Sequence, residues 1–137
     1  MLKEASISEM NTLQIPKEKR VMVNRGRGND CLAPSDTLYR EMSAIKTRLE
    51  STLGKGSAEA HNRAFSECRY ESRFRQQIDA SPEALRKLEK IASQARGEDL
   101  YLICYEGATK ACHRRILMRI VAERFGVEVE IVGVEPT

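Results

Sequence analysis

Val21, Met22 and Val23 form a continuous apolar run between Lys19-Arg20 and Asn24, the pattern of a short buried strand over 19–24. Glu4 to Ile7 is a further candidate strand, and Arg25-Gly26-Arg27-Gly28-Asn29-Asp30 reads as a flexible basic loop. Ser35 follows Pro34 as a helix N-cap, and Leu38, Met42, Ile45 and Leu49 then recur at helical spacing. A helix is expected from Asp36 to roughly Leu53, stopped by Gly54 and Gly56. Ser57 to Ile78 reads as one very polar helix whose apolar positions, Tyr70, Phe74 and Ile78, align only in its last turns. Its first half is therefore expected to fray. Ser81-Pro82-Glu83 combines an N-cap, a proline at the first helical position and an acid in the first turn. Leu85, Leu88, Ile91, Ala92 and Ala95 supply the buried stripe, and Gly97 stands where a C-cap glycine belongs. Asp99–Tyr105 is the clearest strand, Ala111–Phe125 is a helix closed by Gly126, and Val127–Val134 alternates apolar and acidic like an edge strand. This order implies a right-handed βαβ unit and a small, mostly parallel sheet within one α/β domain spanning 1–137.

A length of 137 residues, 41% of them apolar and 31% charged, suits one domain that can build a core without disulfide or metal support. The net charge of +3 and isoelectric point near 8.7 are mildly basic, short of a dedicated nucleic-acid binder. The opening MLKEASISEM is charged and lacks the apolar segment of a signal peptide, and no stretch is long enough to cross a bilayer. The cysteines, Cys31, Cys68, Cys104 and Cys112, are scattered rather than set in a secreted disulfide pattern, so a reducing cytoplasm is the expected location.

Chemistry-bearing residues crowd the segment from Cys104 to Arg115. It joins a strand to a helix at the carboxyl edge of the sheet, where open α/β sheets bind ligands. Gly107, Ala108 and Thr109 are small enough for backbone N–H groups to approach an anion, and the helix N-terminus adds its positive dipole end. Cys112, Ile116, Leu117, Ile120 and Val121 define the buried helix face, so His113 points toward the end of the Cys104 strand, with Arg114 and Arg115 flanking it. A thiol placed beside such cations favours its reactive thiolate, and Glu106 is placed to orient His113 or act as a base. Cys104, Glu106, Cys112 and His113 are the catalytic candidates, and Arg25, Arg27, Lys110 and Arg114 the anion-binding ones. The bland alternatives are core thiols, a histidine satisfied by a backbone carbonyl, and solvated surface charges.

A strand, cysteine loop and helix is also the layout of protein tyrosine phosphatases and rhodaneses. The phosphatase arginine six residues after the cysteine is Lys110 here, however, and their preceding histidine is Ile103. With no paired CxxC knuckle, neither a metal nor a cofactor is expected. Two basic clusters, Lys19, Arg20, Arg25 and Arg27 and then Lys110, Arg114, Arg115 and Arg119, allow phosphate-backbone binding to nucleic acid if they share a face. Against this, the chain has only seven aromatic residues (three Phe, four Tyr, no Trp) and no base-stacking array.

The run Leu102-Ile103-Cys104-Tyr105-Glu106 followed by Cys112-His113-Arg114 resembles the signature of the domain-of-unknown-function family 488, a C-x-E strand end and a CHR helix start. Ala5-Ser6-Ile7, the strand and loop from Val21 to Gly28, and Leu32-Ala33-Pro34-Ser35 extend the resemblance over nearly the whole chain. Where that family commonly has W-P-R-G, this chain has Gly26-Arg27-Gly28 and no tryptophan, with Arg25 and Arg27 as counterparts of the family's arginines. The resemblance implies a three-layer Rossmann-like α/β fold and supplies no mechanism. The expected function is a thiol-dependent enzyme or binding protein for a small anionic ligand. On that reading, the loops at 25–28 and 107–112 lie side by side.

Overall fold

In the computed structural model, which describes residues 1–134, three strands form one parallel sheet with helices on both faces. Strands β1 (Leu2–Ser6), β2 (Arg20–Met22) and β3 (Leu100–Cys104) lie in the order β1-β3-β2, so the strand that carries Cys104 is central. Leu2 pairs with Leu100, Glu4 with Leu102 and Ser6 with Cys104. Alternation along the pleat therefore turns Leu2, Leu100, Leu102 and Cys104 into the main core, while Ala5 and Ile103 face the other way and meet Met10 and Ile15. The second face is covered by α1 (Ile7–Thr12), which starts from a capping box. Glu9 N–H donates to Ser6 Oγ at 3.1 Å, and Ser6 N–H donates to Glu9 Oε1 at 2.9 Å. The first face is covered by α2 (Asp36–Leu53), α3 (Ala58–Glu67), α4 (Tyr70–Asp79), α5 (Pro82–Gly97) and α6 (His113–Phe125). The result is the three-layer Rossmann-like arrangement. Among the described residues, no helix is long and apolar enough to cross a membrane.

Ser35, Ser57 and Ser81 each accept a hydrogen bond from a first-turn amide, which fixes the starts of α2, α3 and α5. The expected single polar helix over 57–78 is two helices, broken where Arg69 adopts a left-handed φ of +55°. Its first half does not fray: Ala60, His61, Ala64 and Phe65 of α3 are buried. A stripe built from two alanines and a histidine buries well but carries little hydropathy, so the pattern of large apolar residues misses it. Gly97 is the last residue of α5 rather than a left-handed cap, whereas Gly126 closes α6 at φ +66° as expected.

The anticipated strand over 127–134 is reduced to one parallel bridge between Leu2 and Val129. Two backbone bonds hold it, Leu2 N–H to Glu128 O at 3.0 Å and Glu130 N–H to Leu2 O at 2.9 Å. The segment does run along the sheet edge beyond β1. Its ladder stops because the next amides, of Val132 and Gly133, donate to the Glu4 side chain at 2.9 and 3.3 Å.

Candidate functional site

Cys112 is the N-cap of α6, in extended conformation, and His113 opens the helix. His113 Nε2 lies 2.8 Å from the Val23 carbonyl at the end of β2. A carbonyl only accepts, so Nε2 carries the proton and Nδ1 is turned toward the two thiols. The Nδ1 atom is 4.0 Å from Cys104 Sγ and 3.9 Å from Cys112 Sγ, and all three groups are buried. Arg114 Nη1 donates to Cys112 Sγ at 3.7 Å. The two thiols respond oppositely. Cys104 is pushed upward by its hydrogen bond to Cys112 and by burial. Burial opposes ionisation of Cys112, but the hydrogen bond from Cys104, the charge and hydrogen bond of His113, and Arg114 outweigh it and hold this thiol well below its usual value. Cys112 is the thiol of the pair whose ionisation the surroundings favour, since it caps the N-terminus of α6 and its sulfur accepts from the Arg114 guanidinium. Burial works against protonating His113, yet the adjacent Cys112 thiolate and the Val23 carbonyl raise its pKa.

The flanking arginines differ from expectation. Arg114 and Arg115 are 1% and 0% exposed, and both close on Glu4, with Nε to Oε1 distances of 2.7 and 2.9 Å. Glu4 faces inward from β1 in register with Leu102, so its charge meets the first turn of α6 inside the core. Arg115 also donates to the carbonyls of Gly107 (3.0 Å), Lys110 (2.6 Å) and Val134 (3.1 Å), which staples the loop after β3 to the C-terminal segment. Arg114 is therefore held inside the core between Glu4 and Cys112. The opposite flank of the loop is braced by α3. Asn62 donates to the Thr109 carbonyl at 2.9 Å and accepts from Ala111 N–H at 2.8 Å, and His61 Nε2 donates to the Ala111 carbonyl at 2.7 Å.

These elements enclose a cavity of about 640 Å³, within the usual size of small-molecule sites. Cys104, Cys112 and His113 form its buried end, and Arg25, Arg40, Tyr39 and Tyr105 stand at its exposed margin. Arg25 from the loop after β2 and Glu106 and Ala111 from the loop after β3 share its wall, so the two loops do meet at the carboxyl edge. Glu106 faces the cavity, but His113 is oriented by the Val23 carbonyl instead. Arg27 and Lys110 do not line it, and neither do Gly107, Ala108 and Thr109, whose carbonyls at 107 to 109 are bound to Arg115, Val134 and Asn62. Arg25 donates to the Pro34 carbonyl and pairs with Asp36 at 3.3 Å.

Two lining residues carry no signal in the pattern of the sequence. Asn24 is 3% exposed, and neither its amide nitrogen nor its amide oxygen has a hydrogen-bond partner among the described residues. His61 is 4% exposed, its Nδ1 is likewise unpartnered, and burial lowers its pKa. An unpaired buried polar group costs on the order of 1–3 kcal/mol, and two residues with such groups stand on this cavity wall.

The model of one protein family, described as the active DUF488-N3 subclade, matches residues 29–125. The chain belongs to this DUF488-N3a family. The match takes in His61, Cys104, Glu106, Cys112 and His113 of the DUF488-N3a cavity but begins after Asn24 and Arg25. No curated protein and no solved structure matches the chain.

Proposed function

We propose that this DUF488-N3a protein binds a small anionic molecule in the cavity and acts on it through thiol-dependent chemistry centred on Cys112. The observation that carries the reading is the convergence of Cys104, Cys112 and His113 at the buried end of a cavity whose margin bears Arg25 and Arg40. On this reading the two arginines draw the anion in, and Cys112 is the reactive sulfur. Cys104 stands beside it, His113 balances its charge, and Glu106 transfers protons at the wall. The family description as active accords with a working site. The aromatic and aliphatic lining from Tyr39, Met42, Phe65 and Tyr70 suits a guest that is apolar behind its charged end.

Iodoacetate and iodoacetamide test this directly, because they deliver the same alkylation with and without a negative charge. The native protein should react at Cys112, and its preference for iodoacetate over iodoacetamide should exceed that of a free thiol. Arg25→Ala should reduce that preference. A native protein that favours the neutral reagent as strongly as a free thiol contradicts the anion site. Nucleic-acid binding has less support: Arg114 and Arg115 are spent on Glu4, and Arg119 pairs with Glu71 at 2.9 Å. Those three do not form a row of free cations.

A further inference from the structure

We infer that Cys104, Cys112 and His113 form a three-ligand site for a borderline-soft divalent cation of the zinc class, with the fourth position open to the cavity. The inference rests on the proposed function in placing the chemistry at this cluster, and it assigns the two sulfurs a further role as ligands. One ligand atom from each residue lies within 4.8 Å of the other two, and the Nδ1 to Sγ distances are 4.0 and 3.9 Å. Zinc bonds of about 2.3 Å to sulfur and about 2.0 Å to nitrogen, arranged tetrahedrally, place sulfur and nitrogen roughly 3.6 Å apart. The two nitrogen-to-sulfur edges need to close by only a few tenths of an ångström, and the sulfur-to-sulfur edge lies within the 4.8 Å span of the cluster.

Three further features fit a ligand set. The His113 Nε2–H is fixed on the Val23 carbonyl, which leaves Nδ1 directed at the sulfurs as the ligand atom once it gives up its proton; metal-bound histidines are usually held by such an outer partner. Arg114 donates to Cys112 Sγ and is anchored by Glu4, so one ligand has an outer-shell donor of its own. The donors are two thiolates and an imidazole, which select zinc or cobalt over magnesium or calcium. The cysteines come from a strand end and a helix start eight positions apart, so the site lacks the short paired spacing of a zinc knuckle and is assembled by the β3–α6 turn. Three protein ligands beside an accessible cavity is the arrangement of catalytic rather than structural zinc sites. The open position faces the space lined by Asn24 and Glu106, where an anionic guest or a water molecule completes the shell.

The test is a titration of the full, chelator-treated chain with Co²⁺ and then Zn²⁺. One equivalent of Co²⁺ should produce the thiolate charge-transfer band and the strong visible bands of a tetrahedral site, and Zn²⁺ should bleach them. Cys104→Ser, Cys112→Ser and His113→Ala should each lose these bands, whereas Cys31→Ser and Cys68→Ser keep them. Zn²⁺ should also protect Cys104 and Cys112 of the wild-type protein from alkylation, a readout that needs no variant to fold. A wild-type titration without tetrahedral bands overturns the inference, as do bands that survive in both Cys104→Ser and Cys112→Ser. If the metal fails to bind but Cys112 still prefers iodoacetate, the inference falls and the proposed function stands. If both signals are absent, both fall.

Discussion

Glu4 sits between two buried guanidiniums and two backbone amides, and removing its charge leaves Arg114 and Arg115 in the core without a carboxylate. Breaking one partner of such a buried pair costs about 3–5 kcal/mol, a large share of the roughly 5–15 kcal/mol that holds a domain folded. Glu4→Gln should therefore lower the urea midpoint sharply, and an unchanged midpoint would show that the arginines are satisfied without it. His61 makes a different residue-scale prediction. Burial lowers its pKa from 6.5 against the Ala111 carbonyl and Glu106, which raise it, while Lys46 and Lys110 reinforce burial. The unfolded chain then binds more protons than the folded one below pH 6.5, so this contribution to stability is complete above that value and is lost as pH falls below it. His61→Gln keeps a donor for the Ala111 carbonyl and removes the titration. Comparing urea midpoints of the two proteins at pH 7.5 and at mildly acid pH should show the gap narrowing or reversing in acid. A gap independent of pH would mean that His61 titrates as in the unfolded chain.

At the scale of elements, the strands and most helices were legible because their apolar periodicity and serine or proline starts are local signals. Leu38, Met42 and Leu49 mark α2, and Ser81-Pro82 marks α5, before any tertiary contact is known. The contribution of α3 was not legible, since its buried stripe of Ala60, His61 and Ala64 looks polar and its role is to brace a loop far away in sequence. The same holds for 127–134, whose alternation is real but whose ladder is diverted into Glu4 by a carboxylate at the other end of the chain. Asn62→Ala removes two of the bonds that hold the 109–111 turn. It should cost about 1 kcal/mol and speed hydrogen exchange at the Ala111 amide, while exchange in the distant α5 stays unchanged. Equal acceleration everywhere would point to global rather than local loosening. Gly133 lies so close to Arg115 that an added Cβ would come within 2.0 Å of its Nη2 atom. Gly133→Ala should displace either the guanidinium or the C-terminal segment, lowering the melting temperature by several degrees. A variant as stable as the wild type would show that this staple is loose.

For the molecule as a whole, the sequence placed Cys104, Glu106, Cys112 and His113 together at the carboxyl edge of the sheet, where they line one cavity, and did not show which charges face it. Cys104, Glu106, Cys112 and Arg25 do share one cavity with His113, as the strand-to-helix placement implied. Arg114, adjacent to them in sequence, is anchored on Glu4 and does not line the cavity, and Asn24 and His61 arrive from the loop after β2 and from α3 with no motif to announce them. Spacing reveals which residues share a loop, but only the packed sheet decides which side chains share a space. The central claim is that this space holds a reactive thiol rather than two inert ones. The most direct measurement is site-resolved alkylation of the native, chelator-treated protein at neutral pH, read by peptide mass spectrometry. Cys31 is the most accessible of the four cysteines, Cys68 is buried, and burial raises the pKa of both, so they serve as internal references. Cys112 should label first despite being only 2% exposed, and His113→Ala should slow it toward the rate of Cys104. If Cys31 labels first and Cys112 reacts only as the protein unfolds, the cluster is core packing and the proposed chemistry is wrong.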